Sequence, residues 1–477
     1  MFRLLILIHR YVGIAFGVII ALWCLSGFVM MYVQYPDLSE REYFAGLPAL
    51  ETGNCCIANS DVLEQLAGVD EIVIEMLAGQ PVLRARYGRD VSILVNLATG
   101  WWFSSINQET AMQQADAFLA ASGSNGEARL LASLERDQWT VAGYFNAYRP
   151  LFRFAADDKA GTQVYVSSIN GQVIQTTTAT ERFWNWFGAV THWIYPTVLR
   201  QNTALWSQVV IWLTIASLFL VVVGIYLGIK QFGARSDGSI SPYRGLNLWH
   251  HYSGLIFGLV TMTWLFSGLL SMNPWGAFEG DSGAEERSRI RGGTISSADI
   301  TAIVQTLGTA PLPDNTVQLR SAVVDGDLAV IAVNTEGHAT RLNGGSLTPE
   351  ALPAQTWSRI AALAGSGRPV REMGLIHAGD HYYFSHHDQV TFPAYRIVFD
   401  DAEQTRYYFD ATTAELKQKV DRDRRWNRWL FLGLHRGDFT SLLRQRPLWD
   451  LLMLPLMLGV TIGAVTGVLM GYRRLTR

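Results

Sequence analysis

The chain is poor in cysteine and in charge. Three cysteines among 477 residues are too few for a disulfide framework. Cys24 falls inside an apolar run. Cys55 and Cys56 are adjacent, which leaves a vicinal disulfide and two separate thiols both open. Charged residues make up only 17% of the sequence, and the net charge is −3. No basic patch interleaved with aromatics occurs, so the sequence points to no nucleic-acid partner. No Gly-x-Gly-x-x-Gly follows a strand-like segment, so no dinucleotide-binding turn is expected. Aspartate, glutamate, lysine and arginine are missing from the middle of every long apolar run, which argues against ion-coupled transport. Asp450 and Arg444 flank the last run and do not interrupt it.

What is abundant is apolar sequence: 49% of the chain, with 16 tryptophans. Four runs, 14–33, 205–229, 255–272 and 451–470, are each long enough to cross a hydrocarbon core of about 30 Å. The first is too long for a signal-peptide core and lacks a small-residue cleavage site, so it reads as a retained span. Arg3 and Arg10 precede it. Lys230, Arg235 and Arg244 fill the loop between spans two and three, and Arg473, Arg474 and Arg477 end the chain. The positive-inside rule places these three segments and both termini in the cytoplasm. The long segments between spans then lie outside, in a bacterium the periplasm.

The sequence also contains itself twice. His9-Arg10-Tyr11-Val12-Gly13, Gly17, Trp23, Ser26, Gly27 and Met31 match His250-His251-Tyr252-Ser253-Gly254, Gly258, Trp264, Ser267, Gly268 and Met272, each 241 positions on. His192, Trp206, Gly224 and Gly228 match His435, Trp449, Gly467 and Gly471 at an offset of 243. A parallel repeat relates its halves by an axis along the membrane normal. Such an axis can set His9 opposite His250 at one depth. A buried coordinating residue in a span is a functional candidate by default, and imidazole is a common ligand of haem iron. Two histidine levels, each present twice, suit a flat group gripped between twofold-related halves. Haem is the leading candidate, and the lack of Cys-x-x-Cys-His makes it non-covalent.

Gly13 and Gly254 follow the histidines by four residues on nearly the same helix face and would let a porphyrin approach the backbone. Gly13-x-x-x-Gly17 and Gly254-x-x-x-Gly258 equally fit small-residue helix packing. His251 rivals His250 as a ligand, but it aligns with Arg10. Both residues are placed to meet a propionate or a lipid phosphate. The 37 positions from His192 to Gly228 are too long for one span. Pro196 and Arg200-Gln201-Asn202 mark a break, so His192 is expected on a Trp-rich interfacial helix over 183–195, and His435 in the same context. The alternative for this outer pair is ordinary hydrogen bonding where a lobe meets the membrane.

The outer segments repeat too. Asp137-Gln138-Trp139, Arg149-Pro150, Arg153 and Tyr165 match Asp380-His381-Tyr382, Phe392-Pro393, Arg396 and Tyr408. Hairpins are expected at Thr99-Gly100 and Asn170-Gly171, the latter matched by ATTAEL in the second half. Helices are expected over 109–121 and 348–363, and a flexible connector over 280–293. Each lobe therefore reads as α+β. His377, His381, His386 and His387, with Asp380 and Asp388, read as a polar strand near a turn. The same pattern can also bind a transition metal and dock a ferric complex.

These motifs resemble a known family. Helix-plus-hairpin modules that end on a tyrosine-rich strand and an ATTGxL-like turn resemble PepSY domains. Spans that open on His9-Arg10-Tyr11 and close on Ser26-Gly27 resemble the PepSY-associated transmembrane family. The resemblance covers nearly the whole chain. It departs at Ala414, where the turn glycine is expected. The expected fold is a mixed membrane protein: a four-helix transmembrane bundle built from two internal repeats, with two α+β PepSY-like periplasmic lobes. Its expected parts are 1–33 (first span), 34–182 (first lobe), 183–230 (interfacial helix and second span), 231–248 (cytoplasmic loop), 249–272 (third span), 273–425 (second lobe) and 426–477 (interfacial helix, fourth span and tail).

The resemblance includes bacterial inner-membrane ferrisiderophore reductases with b-type haems. Two haems, one between His9 and His250 and one between His192 and His435, follow from the symmetry of the repeat. The resemblance also implies a ferric-siderophore or other iron complex as periplasmic acceptor, and a separate donor, a quinol or a cytoplasmic reductase. The competing reading is a non-enzymatic, membrane-anchored PepSY binding or regulatory protein.

Overall fold

Four apolar stretches close into long helices because a chain in lipid must satisfy its backbone groups internally. The computed structural model describes residues 1–476, except 54, 58, 89–90, 104, 125, 277–279, 281 and 386–389. The helices are Phe2–Met30, Thr203–Gln231, Leu246–Ser271 and Leu448–Leu475. Each is 26 to 29 residues long. At 1.5 Å per residue that is roughly 40 Å, enough to cross the hydrocarbon core and both its borders. They form a ring in which the first helix neighbours the second and fourth, and the third does the same. Glycines bring them together. A methyl group at Gly459 would lie 2.3 Å from the Phe257 ring, and one at Gly258 would lie 2.9 Å from Ile225. These four helices and their flanks, Met1–Tyr35, Glu181–Gly280 and Arg422–Arg477, make one unit; Pro36–Thr180 and Asp281–Asp421 make the other.

In the first unit the expected interfacial helix is broken in two, Ala179–Phe187 and Ala189–His192. Gly188 sits at the break, where a side chain would press on Val29, 2.9 Å away. The expected interruption near Pro196 is present: Thr197–Arg200 is a separate turn, and Asn202 caps the span that follows.

The second unit has three antiparallel sheets. The first half supplies β1 (Glu71–Leu77), β2 (Gln80–Tyr87), β3 (Val91–Asn96), β4 (Trp101–Trp102), β5 (Ala128–Leu134), β6 (Leu151–Ala156), β7 (Gln163–Ser167) and β8 (Val173–Thr177). The second half supplies β9 (Thr316–Val324), β10 (Asp327–Asn334), β11 (Ala339–Asn343), β12 (Val370–Ile376), β13 (Ala394–Phe399), β14 (Arg406–Asp410) and β15 (Leu416–Val420). β5–β8 form one four-stranded sheet and β12–β15 its counterpart. The remaining strands join across the repeat in the order β11-β10-β9-β1-β2-β3-β4. β1 pairs with β9, Ile74 opposite Leu319 and Glu75 opposite Gln318. The two lobes expected from the sequence therefore share one sheet. Pairing the two strands removes two open edges that separate lobes would expose. One core covers the joint: Leu63, Ile72, Ile74 and Leu83 from the first half with Ile303, Leu319 and Val330 from the second. Glu75 is fully buried there. It accepts from Tyr43 Oη at 2.9 Å and from Gln318 Nε2 at 2.8 Å, and it pairs with Arg84.

The four-stranded sheets repeat in detail. Asp137 accepts from Tyr165 Oη at 2.8 Å and Arg153 Nη1 at 3.0 Å; Asp380 accepts from Tyr408 Oη at 2.8 Å and Arg396 Nη1 at 3.1 Å. The helix Gln108–Ala121 lies over the first of these sheets, as expected. Its counterpart is shorter than expected, Thr356–Gly365. Pro349 and Pro353 cannot donate into a helix interior. Pro349 instead bridges to Leu342, and the Glu350 amide donates to the Arg341 carbonyl. The segment 280–293 also differs from the flexible connector expected: it contains the helix Ala284–Arg291, with Glu286 and Ile290 buried. The segment 380–385 is not a strand. Asp380 Oδ1 takes the amides of Tyr382 and Tyr383, which bends the chain. His386, His387 and Asp388 lie outside the described residues.

Both hairpin expectations hold, Gly100 and Gly171 taking positive φ at the turns. Ala414 adopts φ 61° at the position matching Gly171. A left-handed alanine costs roughly 1–2 kcal/mol. Ala414→Gly should therefore raise the stability of the second unit by about 1 kcal/mol, seen by calorimetry of the full chain. Gly171→Ala should lower it by more, because the new methyl would sit 2.5 Å from Leu77 Cδ1. A destabilised Ala414→Gly would mean that the turn is not left-handed there.

Burial alone would raise the Asp380 carboxyl. The amides of Tyr382 and Tyr383, the Tyr408 hydroxyl and Arg396 outweigh it and hold it below the usual carboxylate range. Its contribution is present above the unfolded carboxylate pKa of about 4 and is lost as pH falls through the folded value. Asp380→Asn should flatten the acid limb of a stability-against-pH curve. An unchanged limb would remove Asp380 from the account.

Candidate functional site: two facing histidine pairs

His9 lies two turns into the first helix and His250 one turn into the third. Their ring centroids are 6.2 Å apart, with ring planes at 42°. Each is fixed by a neighbouring helix. His9 Nδ1 is 3.2 Å from the Leu220 carbonyl, and His250 Nδ1 is 3.0 Å from the Gly463 carbonyl. These two carbonyls are themselves equivalent in the repeat. A carbonyl only accepts, so Nδ1 carries the proton in both rings. Nε2 is left with a bare lone pair.

A carbonyl inside a helix is reachable from the side only where the residue one turn on is small. Gly224 follows Leu220 by four residues, and Gly467 follows Gly463 by four. A methyl at Gly224 would lie 2.6 Å from His9 Cε1, and one at Gly467 would lie 3.1 Å from His250 Cε1. These glycines are where the imidazoles enter. Their place in the repeat is visible in the sequence; their role needs the packing.

The outer pair reverses the arrangement. His192 and His435 precede the second and fourth helices and bond back to the first and third. Their centroids are also 6.2 Å apart, at 76°. His192 Nδ1 is 3.1 Å from both the Trp23 carbonyl and Ser26 Oγ. His435 Nδ1 is 3.2 Å from the Trp264 carbonyl and 3.0 Å from Ser267 Oγ. Each serine hydroxyl donates to its tryptophan carbonyl, so its lone pairs face the imidazole. Again Nδ1 holds the proton. Trp206 Nε1 donates to the Trp193 carbonyl at 2.9 Å, and Trp449 Nε1 to the Arg436 carbonyl at 2.7 Å. The two indoles pin the turns that carry the outer histidines.

A cavity of about 820 Å³ surrounds the inner pair. Small-molecule and cofactor sites run from roughly 300 to 1,000 Å³. Gly13, Gly17, Gly254 and Gly258 line it, as do Gly224 and Gly467. A methyl at Gly254 would meet nothing within 4 Å, and one at Gly13 only Leu220 at 3.7 Å. Gly13 and Gly254 therefore face open space as well as neighbours.

The family model for the PepSY-associated TM region matches residues 6–474. The chain belongs to this family. No curated protein matches it.

Not every histidine in this PepSY-TM chain is placed as the sequence suggests. His251 lines the cavity, yet both its nitrogens are used. Nδ1 is 2.8 Å from Ser241 Oγ, and Nε2 is 2.9 Å from the Gly228 carbonyl. Gly228 lies in the last turn of its helix, where carbonyls lack partners within the helix. His251 supplies that partner and is not free for a propionate. Arg10 does face the cavity. Among the described residues no group of three or more His, Cys, Asp or Glu is placed to hold a metal ion. His377 and His381 do not form such a group. Cys55 and Cys56 are joined to each other, and Cys24 is buried and free.

His251→Leu should cost about 1–3 kcal/mol, because it leaves the half-buried Gly228 carbonyl without a donor and the Ser241 hydroxyl proton without an acceptor. The check is a lower thermal midpoint in detergent. A midpoint equal to that of the unsubstituted chain would show that the contact carries no energy.

Proposed function

We propose that this PepSY-TM protein is a haem b reductase of the bacterial inner membrane. It takes electrons from a separate donor, a quinol or a cytoplasmic reductase, and delivers them to a periplasmic ferric complex such as a ferrisiderophore, releasing Fe(II). The observation that carries this reading is the spacing of the two histidine pairs. An imidazole–metal bond of roughly 2 Å plus half a ring would put each centroid roughly 3 Å from a shared metal, so two imidazoles that held one metal between them would stand roughly 6 Å apart. Both pairs stand at 6.2 Å. The bare Nε2 atoms, the cavity and its glycines fit a planar macrocycle at the inner level. Ser26, which touches His192, follows His9 by 17 residues on one helix, or roughly 25 Å. The two levels are thus separated by most of a core about 30 Å thick.

Bound haem b would supply one-electron redox chemistry. The chain's own groups set the conditions for it. The carbonyls of Leu220, Gly463, Trp23 and Trp264 hold the Nδ1 protons, which fixes the tautomer and makes Nε2 a better donor. Ile20, Leu220 and Val460 wall the deep end of the inner cavity against water. Arg10, Arg244, Arg473 and Arg474 at its other end favour a cytoplasmic position for that end and a periplasmic one for the lobes. Reduction of the acceptor iron to Fe(II) softens it and weakens oxygen chelation.

The test is a reduced-minus-oxidised absorption spectrum of the detergent-purified full chain, with haem quantified per chain. Two low-spin b-type haems are expected. His9→Ala and His192→Ala should each remove one. Gly224→Leu should remove the inner one without touching a ligand. A colourless protein, after growth with ample haem, would end the reductase reading in favour of a membrane-anchored binding or regulatory protein.

A further inference from the structure

The cavity around His9 and His250 carries one sign of charge. Arg10, Arg244, Arg473 and Arg474 line it, and no aspartate or glutamate does. Among the described residues none of the four forms an ion pair. They gather at one end. Arg473 and Arg474 lie six and seven residues beyond Gly467, which receives His250. Val460, which also lines the cavity, lies seven residues before Gly467 on the same helix, toward the end away from Arg473 and Arg474. The cavity therefore has a cationic mouth, an imidazole pair midway and an aliphatic floor.

The repeat isolates this feature. The histidines, their carbonyl partners and the receiving glycines match between halves. The charges do not. Arg10 corresponds to His251, whose nitrogens are committed to Ser241 and Gly228. Arg473 corresponds to Lys230, whose ammonium lies over the Tyr226 ring at 5.9 Å, and Arg474 to Gln231. Four unpaired cations around one cavity repel each other unless an anion sits among them.

We infer that Arg10, Arg244, Arg473 and Arg474 bind the two carboxylates of the inner haem. The acidic edge of the porphyrin then faces the mouth, and its apolar edge faces Ile20 and Val460. This rests on the haem reading and adds the orientation of the group and the residues that set it. Lipid phosphate offers the arginines a related anion, and the test separates the two.

The full chain carrying His192→Ala, so that only the inner level binds, is prepared haem-depleted in lipid-free detergent. It is titrated with haem and with haem dimethyl ester, and the low-spin absorbance is followed. The ester should bind roughly 10- to 100-fold more weakly than haem at low salt. Added salt should shrink the difference. Arg473→Gln/Arg474→Gln should weaken haem by a similar factor and leave the ester unchanged. Arg244→Gln, on the connecting loop, gives the same reading if the double variant does not fold. Equal affinities for haem and ester, or haem affinity untouched by the arginine substitutions, would overturn the inference, leave the arginines to lipid and leave the haem reading standing. If neither porphyrin gives a low-spin spectrum, the haem reading itself fails.

Discussion

The arrangement of the membrane unit depends on one kind of hydrogen bond, from an imidazole Nδ1 to a main-chain carbonyl on a different helix. Among the described residues four such contacts join the membrane helices. Two run from the first and third helices to the second and fourth, through Leu220 and Gly463. Two return from the segments before the second and fourth helices, through Trp23 and Trp264. Each half thus holds its helices together at both levels. In lipid there is little hydrophobic drive between helices, so polar contacts and close glycine packing carry much of the association. The same bonds fix which nitrogen of each ring is left bare. Helix packing and the tautomer of each ring are one constraint here.

That double duty explains why glycine accompanies histidine in the repeat. A ring can reach a helical carbonyl only over a residue without a side chain, as at Gly224 and Gly467. The outer level keeps this arrangement, with Gly27 and Gly268 four residues after Trp23 and Trp264, and adds a serine. Its histidines approach tryptophan carbonyls beside Ser26 and Ser267, whose hydroxyls already turn toward those carbonyls. The arrangement appears at both levels in both halves, so it is a property of the repeat and not of one helix.

Much of this was legible in the sequence, because it rests on period and position. Apolar runs of span length and histidines at fixed offsets read directly. The break near Pro196 did too, since proline and polar residues interrupt a span wherever it lies. What was not legible depends on partners distant in the chain. Nothing local in Val73–Glu75 says that it will pair with Gln318–Arg320, so one sheet read as two lobes. His251 has the same surroundings in sequence as His250. Only the approach of Ser241 and Gly228 commits both of its nitrogens. The stretch 348–355 has a helical pattern of apolar residues, but two prolines and the bridge from Leu342 prevail over it. Ala414 shows the reverse case: the turn's backbone is kept by the surrounding sheet although the residue disfavours it.

The repeat also shows where the two levels must differ. The levels share an Nδ1–carbonyl contact and a ring spacing of 6.2 Å, but they differ in ring angle, 42° against 76°, in the serine hydroxyls at the outer level, and in the charge around them. The inner cavity is lined by four arginines. The outer level has Asp438, fully buried, with Arg428 Nη2 at 3.0 Å and Arg444 Nε at 2.6 Å. Arg428 Nη1 also donates to the Asp438 carbonyl at 2.7 Å, three residues beyond His435. The equivalent positions in the first half are Asn185, Tyr195 and Gln201, none of them charged. At these three positions only the second half is charged, whereas the first half places Arg200 over the Trp206 ring at 4.6 Å. In a low-dielectric setting such groups shift the energy of any redox centre nearby far more than a change of packing would. If both levels held haem, the charged groups near each, Arg10 and Arg473 at the inner and Arg428 and Asp438 at the outer, would set the two potentials apart.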